Sequence, residues 1–468
     1  MKFKSDDDGS PGVTKHLARF ACETRYEDIP SGVRDLERVH ILDALGLALA
    51  GARARGSSIL RDYLSSLGCT AGPAHVFGTD MMTAGRFAAL VNGAAIHAHD
   101  YDDTCPQHLA DRNGGLHATG PVLSAALAAA EKTGASGRDV LEAFHVGVEI
   151  GCRINHAIDN RHYANGYHAT GTINVFGAAA AVSRVMRADV DTVRTAFGLA
   201  ASHAGGIREN FGTMTKPYHA GHAAEGGTVA AELAICGFTA ARNALEAPRG
   251  YFAAAGGGFD PEQVMDRLGS PWAFEDPGIW IKPHPSGALN HPAMTLLRRY
   301  VRENELKPTD VAHVRLRTNA NVVNTLLHND PSDWLEAKFS LPFNAAAILV
   351  RGRAGLAEFT DEIVNDPQIR SMMSRIDFSA FDEIGPDFAN TTTFVELALT
   401  DGRTMTGRVD FPKGSPQDPM SFDDVTEKFR ECAEFADWPA QKTERIIELV
   451  RGFERLADIR DLTSAMSQ

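Results

Sequence analysis

Long apolar segments rich in alanine and glycine fill most of the first 275 residues, and they constrain the fold more than any other feature. The segment from Ile41 to Gly51 is apolar almost all round and ends at a glycine, a common residue just after a helix. Such a helix must be buried on most sides. Because small side chains let helices approach closely, we expect residues 11–275 to form a tight all-helical domain. The other helical candidates are residues 120–132, 137–157, 171–186, 190–204 and 223–236.

A change of pattern near residue 270 predicts a second, smaller domain. Residues 311–318 alternate between apolar and polar side chains, which is typical of a strand. Residues 392–399 and 404–410 flank the dipeptide Asp401-Gly402, a pattern that predicts a hairpin with a two-residue turn. Segments 291–303 and 344–350 favour helices.

These patterns predict a fold class that is mainly α, with a large all-helical domain and a smaller α+β domain. The smaller domain is expected over residues 277–410, followed by a linker rich in proline and glycine. Residues 415–468 are expected to return to the helical domain and complete it, with Ser421 as the candidate N-cap of their first helix.

Composition excludes several classes of function. The chain carries 46 Lys and Arg against 60 Asp and Glu, a net charge of −14 that disfavours nucleic acid or an anionic membrane as a partner. Six scattered cysteines without a CxxC pair argue against a disulfide framework or a zinc ribbon. No apolar run is long enough to span a bilayer, and the N-terminus lacks the apolar core of a secretory signal. We therefore expect a soluble, cytoplasmic protein.

Histidines and carboxylates concentrate between residues 97 and 104. The His97-x-His99 pair with its following acids resembles a metal-ligand set, but no further closely spaced ligands complete it. The acids could alternatively cap the segment after a helix end. The third interpretation is a pocket wall in which Asp100 orients a catalytic histidine.

Three further segments carry polar residues in places that suggest binding or catalysis. His168 lies where a helix is predicted to begin, and such a position favours an anionic ligand. Lys216 lies between glycine-containing turns, and the nearby His219 is either a ligand or a polar residue at a helix start. Lys282 precedes two prolines that fix an extended backbone, so it could equally belong to a rigid crossover between domains.

Eight motifs stand in chain order: Asp43-x-Leu45-Gly46 and residues 99–104, 166–171, 216–221, 248–252, 282–286, 338–343 and 418–421. Together they resemble those of the MmgE/PrpD family. This family includes 2-methylcitrate dehydratase, cis-aconitate decarboxylase and iminodisuccinate epimerase.

The resemblance implies homodimers and an active site between the two domains that needs neither a metal nor an organic cofactor. It implies a small di- or tricarboxylate as the substrate. The matching catalytic positions are Asp100, His117, His168, Lys216 and Lys282, and the substrate-binding positions are Thr104, Tyr167, Ser286 and Phe343. The match at His117 requires an insertion after Thr104, and this inserted loop carries His108, Asp111 and Arg112.

The implied chemistry begins with removal of a proton next to a carboxylate, which builds negative charge on that carboxylate. Lys216 and Lys282 could stabilise this charge, while a histidine or a lysine with a lowered pKa takes the proton. The same intermediate can lose hydroxide, be reprotonated on its other face, or form by loss of CO₂.

The leading hypothesis is a hydro-lyase of the 2-methylcitrate type, and the first alternative is an epimerase of a substituted succinate. A cis-aconitate-type decarboxylase is less favoured, because Phe343 stands where the resemblance implies a tyrosine in the decarboxylases. A carboxylate-binding protein without catalysis is the non-enzymatic alternative. The retained lysines and His168 argue against it.

Overall fold

The computed structural model describes residues 12–106, 115–381 and 391–468. These residues form two compact units. The first unit comprises the described residues up to Ala98, Asp102–Trp280 and Ser421–Gln468, and the second comprises His99–Tyr101 and Ile281–Met420. Helices dominate the first unit and a small sheet lies in the second, which confirms the predicted fold class.

The first unit contains eleven helices before residue 280 in its described part, together with a short antiparallel pair of strands, β1 (Ala74–His75) and β2 (Met82–Thr83). The helices are α1 (Val13–Glu23), α2 (Ser31–Ala52), α3 (Arg55–Ser66), α4 (Gly85–His97), α5 (Thr119–Thr133), α6 (Gly137–Ala157), α7 (Arg161–Ala164), α8 (Ala169–Val185), α9 (Val190–His203), α10 (Thr215–Ile235) and α11 (Glu262–Met265).

Glycines allow the central helices to touch, as the composition predicts. Helices α4 and α10 meet at Gly93 and Gly221, where a Cβ added to Gly221 would lie 2.2 Å from the carbonyl oxygen of Leu90. Helices α6 and α8 meet at Gly147 and Gly177, and a Cβ on Gly177 would lie 2.6 Å from the Gly147 oxygen. Any larger side chain would force these helices apart, so the close packing depends on glycine at each contact.

Helix α10 begins at Thr215, eight residues before the start that the sequence predicted. Pro217 lies in its first turn, where the helix requires no backbone N–H from that residue. Lys216, which the sequence placed between glycine-containing turns, therefore lies in the first turn of a helix.

The second unit combines six helices in its described part with a four-stranded sheet. In the order β4-β3-β5-β6, strand β4 runs parallel to β3 and the other neighbours are antiparallel. The elements are α12 (His291–Glu303), β3 (Val311–Thr318), α13 (Ala320–Thr325), α14 (Trp334–Ala337), α15 (Leu341–Arg351), α16 (Asp361–Val364), α17 (Pro367–Met373), β4 (Ile376–Ala380), β5 (Thr393–Leu399) and β6 (Thr404–Val409).

One face of this sheet forms the core of the second unit. Val314 and Leu316 of β3 and Leu397 of β5 are buried in one apolar cluster with side chains of α12 and α15. The predicted hairpin of β5 and β6 is confirmed, but its two-residue turn is wrong, because residues 400–403 connect the strands.

The chain then returns to the first unit through α18 (Phe422–Phe435), α19 (Ala440–Arg451) and α20 (Arg460–Thr463). Ser421 caps α18 as predicted: its Oγ accepts a hydrogen bond from Asp424 N at 3.1 Å, and the Asp424 carboxylate accepts one from Ser421 N at 2.9 Å. Helix α18 packs on α2. None of the described helices is both long and apolar enough to cross a membrane.

Candidate active site

A buried carboxylate holds two histidines in the first unit. Asp102 lies 2.8 Å from Nδ1 of His97, the last residue of α4, and 3.4 Å from Nδ1 of His117, which precedes α5. Burial opposes ionisation of Asp102, but the two histidines outweigh it and hold its pKa well below the ordinary value. Burial also lowers the pKa of His97 to about 4. His97 is therefore a neutral ring at pH 7 that donates its Nδ1–H to Asp102.

The hydrogen bonds of His117 fix which ring nitrogen carries its proton. Nδ1 lies 2.8 Å from the carbonyl oxygen of Asp103, which can only accept a hydrogen bond. Nδ1 must therefore be protonated, and in the neutral ring the lone pair is on Nε2. The side chain of His117 keeps an exposed fraction of 11%. This geometry gives a general base or acid that a small molecule can reach.

Asp103 and helix α8 fix the backbone around His117. The Asp103 carboxylate binds Nδ1 of His40 at 2.7 Å and accepts hydrogen bonds from Thr119, at the start of α5. From α8, Asn174 Nδ2 donates to the carbonyl of His117 at 2.6 Å, and Thr170 Oγ1 accepts from its N–H at 3.2 Å. The backbone of His117 is thus held by two helices and a buried acid.

His168 lies beside this pair of histidines. It is the N-cap residue of α8, and its ring centroid lies 5.9 Å from that of His97 and 6.5 Å from that of His117. Its Nδ1 lies 3.0 Å from Nδ1 of His219 on α10. Burial, together with nearby positive charge that includes Lys216, keeps the pKa of His168 well below its ordinary value.

Lys216 supplies the cation of this cluster. It is buried in the first turn of α10, with Nζ 5.3 Å from the ring centroid of Phe211. Its charge contributes, after burial, to the lowered pKa values of His97, His168 and His219. The first unit therefore brings three predicted catalytic residues together, the imidazoles of His117 and His168 and the ammonium group of Lys216, an arrangement suited to binding an anion and moving its proton.

Two predicted substrate-binding residues of the first unit make backbone and packing contacts. Thr104 exchanges two backbone hydrogen bonds of 2.8 Å with Trp280. The ring of Tyr167 stacks on His162 with centroids 5.0 Å apart, and its backbone pairs with Ile207. Their contacts with a substrate stay predictions.

The second unit holds a buried ion pair between two other predicted catalytic residues. Lys282 Nζ lies 3.0 Å from Asp100 Oδ1 and 2.9 Å from the Asp100 carbonyl oxygen. Asp100 has a φ of 53°, in the left-handed region that residues other than glycine seldom adopt. Lys338 donates to the carbonyls of His99 at 2.7 Å and Pro285 at 2.8 Å. These contacts hold the segment His99–Tyr101 in an unusual conformation, which is often found at functional sites.

Ser286 and Phe343 are both buried within the second unit. Ser286 Oγ lies 3.3 Å from His291 Nε2, and burial, followed by the charges of His284 and Lys282, keeps the pKa of His291 well below its ordinary value. Phe343 belongs to the apolar core, with its ring 5.6 Å from that of Phe359. A contact between Phe343 and the substrate stays a prediction. The loop residues His108, Asp111 and Arg112 lie outside the described residues.

Asp102 and Lys338 were not predicted as site residues, yet Asp102 binds the histidines of the first unit and Lys338 binds the carbonyls of His99 and Pro285 in the second. Asp102 follows Asp100 by two residues in the same acidic run, and nothing in the sequence distinguishes the two acids. Lys338 stands in one of the eight motifs, next to Phe339 and Ser340. That motif was the available signal, although it gave no indication of the backbone carbonyls that Lys338 binds.

A helical unit with carboxylate-bound histidines beside a lysine, and an α+β unit with a buried lysine–carboxylate pair, are typical of an acid–base enzyme. Comparison with known families identifies the family to which the chain belongs. Residues 15–264 match the MmgE/PrpD N-terminal domain, and residues 284–454 match the MmgE/PrpD C-terminal domain. The chain belongs to the MmgE/PrpD family, which confirms the resemblance found in its motifs.

Similar proteins of known activity are cis-aconitate decarboxylases. The human enzyme is 31% identical over 440 residues, which cover 91% of this chain and 88% of the human protein. The mouse enzyme is 29% identical over 96% of this chain and 92% of its own length. The enzyme of Aspergillus terreus is 27% identical over 100% of this chain and 98% of its own length. Together with the family match, these relatives support a carboxylate-acting lyase.

Proposed function

We propose that the chain is a lyase that removes CO₂ from a small unsaturated tricarboxylate of the cis-aconitate type, without a metal or an organic cofactor. The observation that carries the proposal is His117, whose Nδ1 proton is fixed by Asp103 and Asp102 and whose Nε2 is left for proton exchange beside His168 and Lys216. The choice of decarboxylation is supported by the names of the relatives.

The residues of the first unit suit this reaction electrostatically. Decarboxylation breaks a carbon–carbon bond, releases CO₂ and leaves an electron pair that spreads onto a remaining carboxylate. One proton must then replace the lost carboxylate. Because a bound polyanion favours protonated imidazole, substrate binding is expected to raise the pKa of the neighbouring histidines. His117 or His168 can then donate that proton, while Lys216 stabilises the developing charge.

A hydro-lyase of the 2-methylcitrate type is the second candidate. Phe343 favours it, because this residue has no hydroxyl where the resemblance implies a tyrosine in the decarboxylases. The same base would remove a proton next to a carboxylate, and a β-hydroxide would leave. Epimerisation of a substituted succinate needs only that the proton return on the other face.

One experiment separates the three reactions. Purified protein, dialysed against a chelator, is incubated in D₂O with cis-aconitate, 2-methylcitrate and substituted succinates, and NMR follows each substrate. We expect loss of CO₂ from the unsaturated tricarboxylate with one deuteron in the product. Elimination of water alone would select the second candidate, and exchange with inversion would select the epimerase. Activity that is abolished by the chelator and restored by a divalent ion would contradict the metal-free proposal.

Two variants link the turnover to the site. His117→Gln removes the proposed proton donor, and we expect kcat to fall by about 10²–10⁴-fold, the usual contribution of general acid–base catalysis. His313→Gln changes an exposed histidine of strand β3 and serves as the matched control. Equal turnover in both variants would contradict the role of His117.

A further inference from the structure

Among the described residues, His219 is the one hydrogen-bond partner of the ring of His168. It lies on α10, one turn after Lys216, and its Nδ1 is 3.0 Å from His168 Nδ1. Both rings are buried. A hydrogen bond between two imidazoles requires an N–H on one ring and a lone pair on the other, so the two tautomers depend on each other.

The surroundings hold His219 in place. A Cβ added to Gly206 would lie 3.1 Å from Cγ and 3.2 Å from Nδ1 of His219, and a Cβ added to Gly171 would lie 3.0 Å from its Cβ. His168 is fixed in turn, because its backbone N–H donates to the Gly206 carbonyl at 3.1 Å. The two rings are therefore confined by the same glycine-lined backbone.

Neither ring is a cation in the resting protein. Burial lowers the pKa of His219 to about 4, and burial also keeps the pKa of His168 well below its ordinary value. Each ring thus carries one proton. Two arrangements satisfy the bond, with either His168 or His219 donating from Nδ1.

Only one of these two arrangements keeps the hydrogen bond between the rings when His168 takes up a proton. If His168 takes up a proton at Nε2, both of its nitrogens carry hydrogen, and its Nδ1–H must find an acceptor. His219 must then present a lone pair at Nδ1 and carry its own proton on Nε2. This arrangement satisfies the bond before and after proton uptake, so no ring needs to rearrange.

We propose, on the basis of the function proposed above, that His219 is a positioning residue that fixes the tautomer and orientation of His168. Its Nδ1 lone pair accepts from His168 Nδ1–H, which leaves the Nε2 lone pair of His168 for the substrate. No hydrogen bond to that Nε2 is seen among the described residues. His219 itself does not touch the substrate.

Two amides of different length test this geometry. In His219→Asn the amide oxygen can take the place of Nδ1 and accept the hydrogen bond, whereas in His219→Gln the amide lies one bond further out. We expect His219→Asn to keep kcat within about threefold, and His219→Gln to lower kcat by at least about 10-fold with little change in KM, since a histidine in the wrong tautomer loses much of its acid–base contribution. His222→Asn, one turn later on α10, is the matched control.

The second measurement needs no turnover. ¹⁵N NMR of histidine-labelled protein reports whether each ring nitrogen carries a proton. We expect His168 to be protonated at Nδ1 in the wild type and in His219→Asn, and to show a mixture of tautomers in His219→Gln. A folded His219→Gln protein with the wild-type tautomer and the wild-type kcat would overturn the proposal.

The two readouts also separate this inference from the proposed function. If the wild type turns over no carboxylate but His219→Gln still shifts the tautomer of His168, the positioning role stands and the proposed reaction fails. If the wild type is active and neither kcat nor the tautomer responds to His219→Gln, the positioning role alone fails.

Discussion

Asp102 and Asp103 are neighbours in the chain, yet their carboxylates bind different histidines. Asp102 binds His97 and His117, whereas Asp103 binds His40 through its side chain and His117 through its carbonyl. The two acids therefore have different roles. The side chain of Asp103 fixes the local fold, and that of Asp102 places a negative charge beside Nδ1 of His97 and His117.

Asp102→Asn tests this division. The amide oxygen can still accept a hydrogen bond from His97 Nδ1, but the variant lacks the negative charge that the carboxylate places beside His97 and His117. We expect kcat to fall by about 10²–10⁴-fold while the far-UV circular dichroism spectrum stays unchanged. Asp377→Asn, at an exposed acid of strand β4, is the control. A folded Asp102→Asn protein with normal kcat would show that this carboxylate has no part in catalysis.

Lys216 offers a second test at a single side chain. If its ammonium binds a carboxylate as charge develops, Lys216→Met removes an interaction of the transition state, and kcat/KM should fall by at least about 10²-fold. Lys132→Met removes an exposed lysine that pairs with Glu232 and should have little effect, since exposed pairs contribute under about 1 kcal/mol. Near-normal turnover by folded Lys216→Met would remove this residue from the mechanism.

Lys282→Met should also lose activity, because its ammonium is buried against Asp100. We expect a fall in kcat/KM of about 10²-fold, with more of it in KM than for Lys216→Met if Lys282 holds a carboxylate remote from the reacting carbon. Steady-state kinetics on the substrate identified by NMR provide both constants. An unchanged KM together with an unchanged kcat would restrict Lys282 to holding the backbone of Asp100.

Among the elements, α2 and α18 are joined by a buried ion pair. Lys428 Nζ lies 2.6 Å from Asp43 Oδ1, and both side chains are almost fully buried. Burial raises the pKa of Asp43 to about 6, although the charge of Lys428 opposes this shift. Asp43 belongs to the first of the eight motifs, and in the structure this residue of the motif joins α2 to α18.

Breaking this pair on one side should cost far more than replacing both partners. Asp43→Asn leaves the Lys428 ammonium buried without its counter-charge, and we expect the free energy of unfolding to fall by about 3–5 kcal/mol. The double variant Asp43→Leu/Lys428→Met removes both charges and should recover most of that loss. Urea unfolding measures both values. A single variant as stable as the wild type would show that the pair contributes nothing net.

Elements with strong periodic patterns could be predicted from the sequence with their observed bounds. Helices α6 and α12 and strand β3 are the examples. Strand β4 was not predicted, because Ile376 is its only buried residue and an edge strand needs no alternation. The early start of α10 was missed because glycines and Pro217 resemble a turn when tertiary contacts are unknown.

The candidate site, like the fold, could be predicted only in part: some of its residues were predicted, but not the contacts between them. The motifs identified Asp100, His168 and Lys216, since these residue types stand in unusual sequence positions. Their partners were not predictable: Asp100 binds Lys282 from a backbone with a φ of 53°, and His168 meets His219 of a separate helix. A sequence does not reveal such a conformation in a residue other than glycine, nor does it show which side chains of separate helices meet.

For the whole molecule, exposed apolar side chains on the first unit mark a surface. Ile59 and Tyr63 of α3 and Leu67, the residue just after it, follow each other at four-residue spacing and are 47%, 57% and 52% exposed. Met214, 51% exposed, lies beside α3, since a Cβ on Gly56 would be 3.6 Å from the Met214 Cβ. We name these four apolar residues the α3 patch. Contiguous apolar surface of this kind typically marks a protein contact.

If the chain forms the homodimer that the family resemblance implies, we expect the α3 patch to be its contact. Tyr63→Asp places a charge in its centre, where association would strip that charge of water without a partner, and we expect the dimer to weaken by at least about 10²-fold. Light scattering at micromolar concentration should show twice 50.4 kDa for the wild type and 50.4 kDa for the variant. Leu327→Asp, at an exposed apolar residue of the second unit, is the control and should remain dimeric.

The same variant links association to catalysis. Met214 immediately precedes α10, whose first turn carries Lys216, so loss of the partner should loosen the turn that places this ammonium beside the histidines. We therefore expect monomeric Tyr63→Asp to lose activity, and its kcat to recover as protein concentration rises toward the weakened dissociation constant. A wild type that is monomeric at micromolar concentration would contradict the dimer. A fully active Tyr63→Asp monomer would show instead that α10 holds Lys216 in place without a second copy.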